Sequence, residues 1–277
     1  MKTQGDRFSA WQAELTVKYR SIDGRTVLAE RKHFGPLHVQ KSFYPEKDVC
    51  HSYILHPPGG VAGGDQLTIN VAAEANAHAL ITTPASNKFY RSANDESSVR
   101  QSIDVGSNAI IEWLPQDSIL FSGCQVETHT RVNLDQQAKF IGWDIICLGR
   151  PASNESFAEG HCKQKFELYR NDRLLHIETA KLTGGGEILN ASWGLANYTV
   201  FGLMLISNAD KDMLELARAC DQDAPCLSAA TLKGELLLVR CLGHQGMEVR
   251  QYFTRVWSAI RPGLLKREAS IPRVWFT

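Results

Sequence analysis

Short apolar or alternating segments fill the first three quarters of the chain, and Gly, Pro, Asn or Ser separates one from the next. Runs of about four to eight residues with this pattern are typical of β-strands. We predict strands over residues 37–44, 49–55, 67–73, 78–83, 109–114, 126–134, 139–147, 161–169, 174–180 and 199–206. Many short strands with short connections predict a mainly β body. No repeat of fixed period is visible, so the pattern alone does not predict a regular solenoid.

The pattern changes to helical spacing twice near the C-terminus. After Asn208 and Asp210, which are candidate helix caps, the apolar residues of segment 213–220 fall on one stripe. A second stripe covers residues 249–260, with apolar residues three or four positions apart. Pro262-Gly263 follows directly and is predicted to end this helix.

The region between the two predicted helices contains a strand signal over residues 234–242. The order helix, strand, helix predicts an α+β tail over about residues 207–277, behind a β body over about residues 1–206. We expect both parts to belong to a single domain that spans residues 1–277.

Composition argues against several classes of protein. The 30 Lys and Arg residues balance the 30 Asp and Glu residues, so we expect neither nucleic acid nor an anionic membrane as a partner. No apolar run reaches the roughly 18 to 20 residues that span a bilayer, and the first ten residues lack the apolar core of a signal peptide. Seven cysteines without a CxxC pair are typical of reduced, mostly buried thiols. The sequence therefore predicts a cytoplasmic protein.

Residues 55–67 form an unusual loop, with two prolines, four glycines and Asp65 between two apolar stretches. Glycine permits close backbone approach and proline fixes φ, so we expect something to pack against this loop. A Walker loop needs a Gly-Lys-Ser/Thr ending, and a Rossmann turn needs GxGxxG before a helix. Neither pattern is present, which leaves nucleotide binding as a weak alternative. The histidines show no HxH or HExxH pattern, so a closed zinc site is not expected.

Three carboxylates stand in apolar or glycine-rich surroundings: Asp65 in the glycine loop, Asp144 after Trp143, and Glu178 within residues 174–180. An ionised carboxylate is costly to bury unless it is paired, hydrated or faces a water-filled space. An ion pair with arginine or a backbone cap would explain each of them singly. Together they suggest an internal hydrated path.

Five blocks, in the same order along the chain, resemble the UreD family of urease accessory proteins, called UreH in some organisms. They are HPPGGVAGGD at 56–65, TTPASNKFYRS at 82–92, EWLPQDSILF at 112–121, GWDIICLGRPASNES at 142–156 and IPRVWFT at 271–277. The first fifty residues resemble the opening strands of the family, so the resemblance covers essentially the whole chain. Ala62 and Asn87 depart from the family pattern and concern only details of the loop surface.

The resemblance implies a β-helix-like stack of short strands with the two helices packed on it or used in contacts. It also implies a non-catalytic scaffold that docks on the urease apoprotein and binds UreF and, through UreF, the GTPase UreG. Nickel(II) would then be cargo in transit through an internal water-filled tunnel, with no tightly bound cofactor, because a conduit has to release its ion. At the matching positions, Asp65, Asp144 and Glu178 are the candidate carboxylates of that path.

The segment Lys88, Phe89, Tyr90 and Arg91 combines residue types that are enriched in protein interfaces, and we predict partner binding there. The alternative is that Phe89 belongs to the core and Lys88 is a solvated charge. Residues 150–156 form a second candidate loop. The terminal segment is unusually apolar for a chain end and is predicted to dock on the body.

A hypothesis from a different class is a β-helix hydrolase that uses Asp65 or Asp117 with His56 as acid and base. Such an enzyme needs a nucleophile, a base and an orienting group in one pocket. The sequence contains no GxSxG elbow or comparable signature. Urease genes on either side of the coding sequence would favour the accessory protein.

Overall fold

The structure of the protein, a computed structural model, describes residues 10–93, 95–221 and 224–276. The strands are β1 (Gln12–Ile22), β2 (Arg25–Phe34), β3 (His38–Val39), β4 (Cys50–Leu55), β5 (Gln66–Ala73), β6 (His78–Thr82), β7 (Asn87–Phe89), β8 (Ser97–Val105), β9 (Ile110–Leu114), β10 (Ser118–Leu120), β11 (Gln125–Leu134), β12 (Lys139–Leu148), β13 (His161–Arg170), β14 (Arg173–Thr183), β15 (Val200–Ile206), β16 (Leu227–Lys233) and β17 (Leu236–Gly243). The α-helices are α1 (Lys211–Ala219) and α2 (Gly246–Leu265), and short 3-10 helices lie at Pro151–Ser153, Glu187–Leu189 and Arg273–Phe276. Within these ranges, no helix combines the length and apolar character needed to cross a membrane.

The chain winds back and forth between two sheets. One is a seven-stranded sheet with the order β14-β13-β11-β8-β5-β1-β2, in which β1, β5, β8, β11 and β13 run parallel. The other is a ten-stranded sheet with the order β16-β17-β15-β12-β9-β6-β4-β3, to which β10 and β7 are attached beside β12. Successive strands from β4 to β13 largely alternate between the sheets, which gives stacked, solenoid-like coils. The predicted mainly β, β-helix-like fold with two helices is therefore confirmed.

The two faces of the ten-stranded sheet are both covered. One face packs on the seven-stranded sheet, and α2 packs on the other with Phe253 and Trp257 fully buried. Strand β12 is consequently buried along nearly its whole length. This double burial explains why residues 139–147 read as an almost continuous apolar run, as central strands covered on both faces do.

Helix α1 begins at the predicted cap, because the side chain of Asp210 accepts a hydrogen bond from the backbone N–H of Met213 at 2.9 Å. The predicted end of α2 at Pro262 is wrong. The helix continues through Pro262 to Leu265 and stops at Lys266, which has a φ of 57°. Since Leu264 and Leu265 are buried, packing of the last turn outweighs the hydrogen bond that proline removes.

Two further strand predictions differ from the structure. Between the helices lie two strands, β16 and β17, where one was predicted over residues 234–242; β16 is largely exposed and lacks a continuous apolar run. Both extend the ten-stranded sheet of the body. The predicted strand over 37–44 is reduced to β3 and an isolated bridge at Phe43, because the pairing with β4 slips by one residue after Val39.

Candidate functional site

A cavity of about 370 Å³ lies between the two sheets. His56, Pro57 and Gly59 of the glycine loop line it, as do residues 83–88. Inward-facing strand residues complete the wall, and Asp144 is the one carboxylate among the described residues that line it. Since Trp113 and Trp143 also line it, four of the five sequence blocks that carry the family resemblance border this single interior space.

Asp144 reaches this cavity because of the pleat of β12. Its neighbours Trp143 and Ile145 pack with the core under α2, so Asp144 points between the sheets. There its carboxyl group accepts a 2.5 Å hydrogen bond from the side-chain amide of Gln164, on the facing sheet. Burial raises the pKa of Asp144, although hydrogen bonds from Gln164 and from the backbone of Ile145 act in the opposite direction. The group keeps its proton to a higher pH than an ordinary aspartic acid.

Asp65 lies outside the residues that line the cavity, and its carboxylate holds the backbone of two segments together. It accepts hydrogen bonds of 2.8 Å from the backbone N–H of Trp11 and of Ala62. The side chain is 7% exposed. Of the explanations open from the sequence, a backbone cap describes its contacts, and its part in a nickel path stays a prediction.

Glu178, the third predicted carboxylate, also lies outside the cavity lining. It forms a 2.5 Å ion pair with Arg240 of the facing sheet, and His176 approaches the same carboxylate at 3.2 Å. Burial opposes its ionisation, but the hydrogen bonds and charges of His176 and Arg240 outweigh this and lower the pKa to about 2. The structure thus brings one of the three candidates into the cavity and ties the other two to neighbouring groups.

The glycine loop packs against the segment 87–92, which answers the expectation that something fits against it. The backbone N–H of Val61 donates to the carbonyl of Lys88 at 2.7 Å, and the N–H of Tyr90 donates to the carbonyl of Val61 at 2.9 Å. A Cβ atom on Gly60 would lie only 2.4 Å from the ring of Tyr90. Glycine is required there because the aromatic ring lies directly against the backbone.

The four predicted partner-binding residues separate into core and surface. Phe89 is buried, as the alternative reading stated, whereas Lys88 is exposed. Tyr90 is 37% exposed and packs edge-on against Phe121 with ring centroids 5.2 Å apart. Arg91 is exposed and pairs with Glu159 at 3.3 Å.

The second candidate loop, residues 150–156, lies beside this segment. Arg150 stacks over the ring of Phe121 at 4.3 Å, and Arg91, Phe121 and Arg150 border one shallow surface depression. We name Tyr90, Arg91, Phe121 and Arg150 the aromatic–arginine patch. The patch brings together the segment 88–91 and the loop 150–156, which the sequence pattern indicates only as two separate candidate surfaces.

Among the described residues, no hydrogen bond joins His56 to Asp65 or Asp117, the groups of the hydrolase hypothesis. His56 lines the cavity, but neither of its ring nitrogens has a hydrogen-bond partner among the described residues. Asp65 is occupied by two backbone N–H groups, and the carboxylate of Asp117 accepts from Ser86 at 2.8 Å and from Cys147 at 3.2 Å. In the described ranges, no group of three or more His, Cys, Asp or Glu is arranged to hold a metal ion.

Sequence reasoning missed a buried charge network beneath α2. Glu112 and Arg261 are both 0% exposed, and two guanidinium nitrogens of Arg261 each lie 3.0 Å from an oxygen of Glu112. His78 and the indole N–H of Trp257 also contact this carboxylate, at 2.7 and 2.6 Å. Arg261 continues to Glu46 at 2.8 Å. The network fixes α2 on the ten-stranded sheet.

Burial acts to raise the pKa of Glu112, but hydrogen bonds and charges from His78 and Arg261 outweigh it and lower the pKa to about 2. A signal was present in the sequence: Arg261 directly follows the apolar stripe of α2, and Glu112 interrupts an apolar strand. A charge at such a position requires a buried partner.

Comparison with known proteins decides the family. The profile of the UreD urease accessory proteins matches residues 12–276. This chain belongs to the UreD family. A urease accessory protein UreD of Alcanivorax borkumensis is 41% identical over 98% of this chain and 94% of its own length. Proteins of the same name from Nitrosococcus oceani, at 43% identity over 97% and 91%, and Citrobacter koseri, at 40% over 96% and 92%, are also similar. The similarity to UreD proteins therefore covers nearly all of the described residues, and the relatives are named as urease accessory proteins.

Proposed function

We propose that this protein is a non-catalytic urease maturation factor that passes nickel(II) to the urease apoprotein through the cavity between its sheets. In this proposal it acts in the cytoplasm, binds UreF, and reaches UreG through UreF. Membership of the UreD family supports a role in urease maturation. The position of Asp144 inside the cavity is the observation that supports the nickel route.

Oxygen ligands suit an ion that has to be released, because nickel(II) exchanges them more readily than a thiolate cage. Asp144 offers one carboxyl group, already hydrogen-bonded to Gln164. Since burial raises its pKa, protons compete for this carboxyl group up to a higher pH than they do at an ordinary aspartic acid. Competition with the proton weakens the site, and a weak site lets the ion move on.

The aromatic–arginine patch is the surface that we propose for partner docking. It contains Tyr90, Arg91 and Arg150, and tyrosine and arginine are enriched at the energetically dominant positions of protein interfaces. Two of its residues, Tyr90 and Arg91, lie on the segment 83–92, whose first residues line the cavity. A partner bound there would be close to one side of the proposed route.

The test uses Asp144→Asn in a reconstituted system of apo-urease, UreF, UreG, GTP and nickel(II). Asparagine keeps the size and one acceptor for Gln164 but loses the carboxylate, so pull-down of UreF and of urease is expected to be unchanged. Urease activation is expected to fall by about 10-fold or more, as for loss of a group that supports metal binding. Normal complexes with normal activation would contradict the proposed route.

Asp104→Asn is the matched control. Asp104 lies on the exposed outer face of β8 and accepts a hydrogen bond from Asn133 at 2.6 Å. The D104N variant therefore replaces the same kind of carboxyl group at a position outside the cavity lining. It is expected to activate urease as the unchanged protein does. An equal loss in both variants would indicate a general charge effect.

A further inference from the structure

The ion pair of Glu178 and Arg240 connects the two sheets at a position outside the cavity lining. On the ten-stranded sheet, Asp144 pairs in register with Leu203, and Leu203 with Arg240. On the seven-stranded sheet, Phe166 pairs with Glu178. Residues paired in register point to the same face. Asp144 and Phe166 line the cavity. Arg240 and Glu178, which are in register with them, therefore lie on the same inner faces of the two sheets, outside the cavity lining.

His176 and Glu178 lie two positions apart on β14 and therefore on the same face of the strand. The imidazole Nε2 of His176 is 3.2 Å from Oε2 of Glu178, and the His176 side chain is only 8% exposed. An imidazole and a carboxylate at this distance are two ligands of the kind that nickel(II) accepts in partly hydrated sites.

The positively charged guanidinium of Arg240 already pairs with one of these two groups, Glu178. The guanidinium of Arg240 contacts both oxygens of Glu178, through Nη2 at 2.5 Å and through Nε at 3.3 Å. A divalent ion and a guanidinium repel each other and cannot share one carboxylate at contact distance. Arg240 and an incoming cation therefore compete for Glu178.

We infer that His176 and Glu178 form a two-ligand binding site for a divalent cation at the rim of the cavity, and that Arg240 blocks this site by pairing with Glu178. The inference rests on the proposed function for the choice of nickel(II). It adds a ligand, His176, and an opposing residue, Arg240, to the passage. When the guanidinium of Arg240 pairs with Glu178 again, the bound ion is released, as passage of the ion requires.

The test is equilibrium binding of nickel(II) to the isolated protein, by calorimetric titration and by competition with a chelating dye. Removing the guanidinium with Arg240→Ala is expected to give one additional site, about 10-fold or more tighter than any binding at this position in the unchanged protein. The double variant R240A/H176A is expected to lose the additional site.

Arg20→Ala is the matched control. Arg20 contacts Glu74 through Nε at 2.6 Å and through Nη2 at 2.9 Å, a two-point pair like that of Arg240. The described contacts of Glu74 include no histidine, so R20A is expected to gain no nickel site. If R240A melts early, Arg240→Met keeps the apolar stem of the side chain and replaces it in the series.

A nickel isotherm of R240A identical to that of the unchanged protein would overturn the inference. So would an additional site that persists in R240A/H176A. The titration needs no urease, and it therefore fails or succeeds independently of the D144N activation test.

Discussion

Glu112 and Asp144 are two carboxylates of the ten-stranded sheet whose pKa values are shifted in opposite directions. Glu112, beneath α2, is surrounded by Arg261, His78 and Trp257, and its pKa is lowered to about 2. Asp144, between the sheets, has the amide of Gln164 as its side-chain partner, and its pKa is raised. Burial opposes ionisation in both cases, and the partners outweigh burial at Glu112 but not at Asp144.

The difference separates a carboxylate that holds the fold together from the one that we propose as an ion ligand. Glu112 is ionised, fully coordinated by protein groups and closed off by α2. Asp144 faces a space large enough for water and ions. The proposed nickel route depends on this carboxyl group.

The largest expected effect comes from Glu112→Gln. The substitution removes the fully buried counter-charge of Arg261 and leaves it with Glu46 alone, and breaking a buried pair in this way typically costs about 3 to 5 kcal/mol. The free energy of unfolding from urea titration at pH 7 measures the loss. A loss below about 1 kcal/mol, the range of exposed ion pairs, would mean that water reaches the network.

The pH dependence of stability sharpens the same comparison. Glu112 has a folded pKa of about 2, below its ordinary value of 4.5. Its contribution is therefore complete above pH 4.5 and is lost as the pH falls toward 2. The stability difference between the unchanged protein and E112Q is expected to shrink across that window. A difference that stays constant would contradict the assignment of Glu112 as the ionised partner.

A smaller effect is expected from Trp275→Ala in the terminal segment. Trp275 packs on Trp143 and Trp257, with centroids 5.8 and 6.2 Å away, and its indole N–H donates to Thr82 at 2.9 Å. The predicted docking of this segment is confirmed by these contacts. Because the side chain is only half buried, we expect a loss of about 2 kcal/mol.

The control for the terminal segment is its neighbour Phe276, which is 79% exposed. Phe276→Ala should leave the melting temperature unchanged. Equal losses in both variants would show that the segment contributes through something other than the contacts of Trp275.

The smallest effect, with the opposite sign, is expected from Asp144→Asn. A raised pKa means that stability is complete below the ordinary value of 3.8 and declines as the pH rises through the folded pKa. Asparagine cannot ionise, so at neutral pH the free energy of unfolding of the variant is expected to be slightly higher than that of the unchanged protein. Loss of stability in D144N would place a cationic partner beside Asp144 and remove the contrast with Glu112.

Much of the fold follows from local sequence pattern, and the rest depends on distant contacts. Strands such as β4, β5 and β12 were predicted because they are short apolar or alternating runs. Strand β8, SSVRQSIDV, was missed since its outward positions are polar and only Val99, Ile103 and Val105 among its inward positions are apolar. Strand β1 does alternate, with Ala13, Leu15, Val17 and Tyr19 buried, so its signal was available.

The candidate site was predictable only in part. The carboxylates could be named from their apolar surroundings, but their partners could not, because Gln164 is 20 residues from Asp144 and Arg240 is 62 from Glu178. The network of Glu112 joins residues 34 and 149 positions apart. Such pairings are set by how the coils stack, which no local pattern records.

The most direct test of the central claim is to fill the cavity without changing any carboxylate. Val99 lines the cavity from β8, whereas Ser102 lies on the other face of the same strand, so Val99→Phe is compared with Ser102→Phe. With equal amounts of complex pulled down, urease activation is expected to fall by about 10-fold or more for V99F alone, because the route is obstructed. Normal activation by V99F, with a crystal structure showing the phenylalanine ring inside the cavity, would contradict passage of nickel through this space.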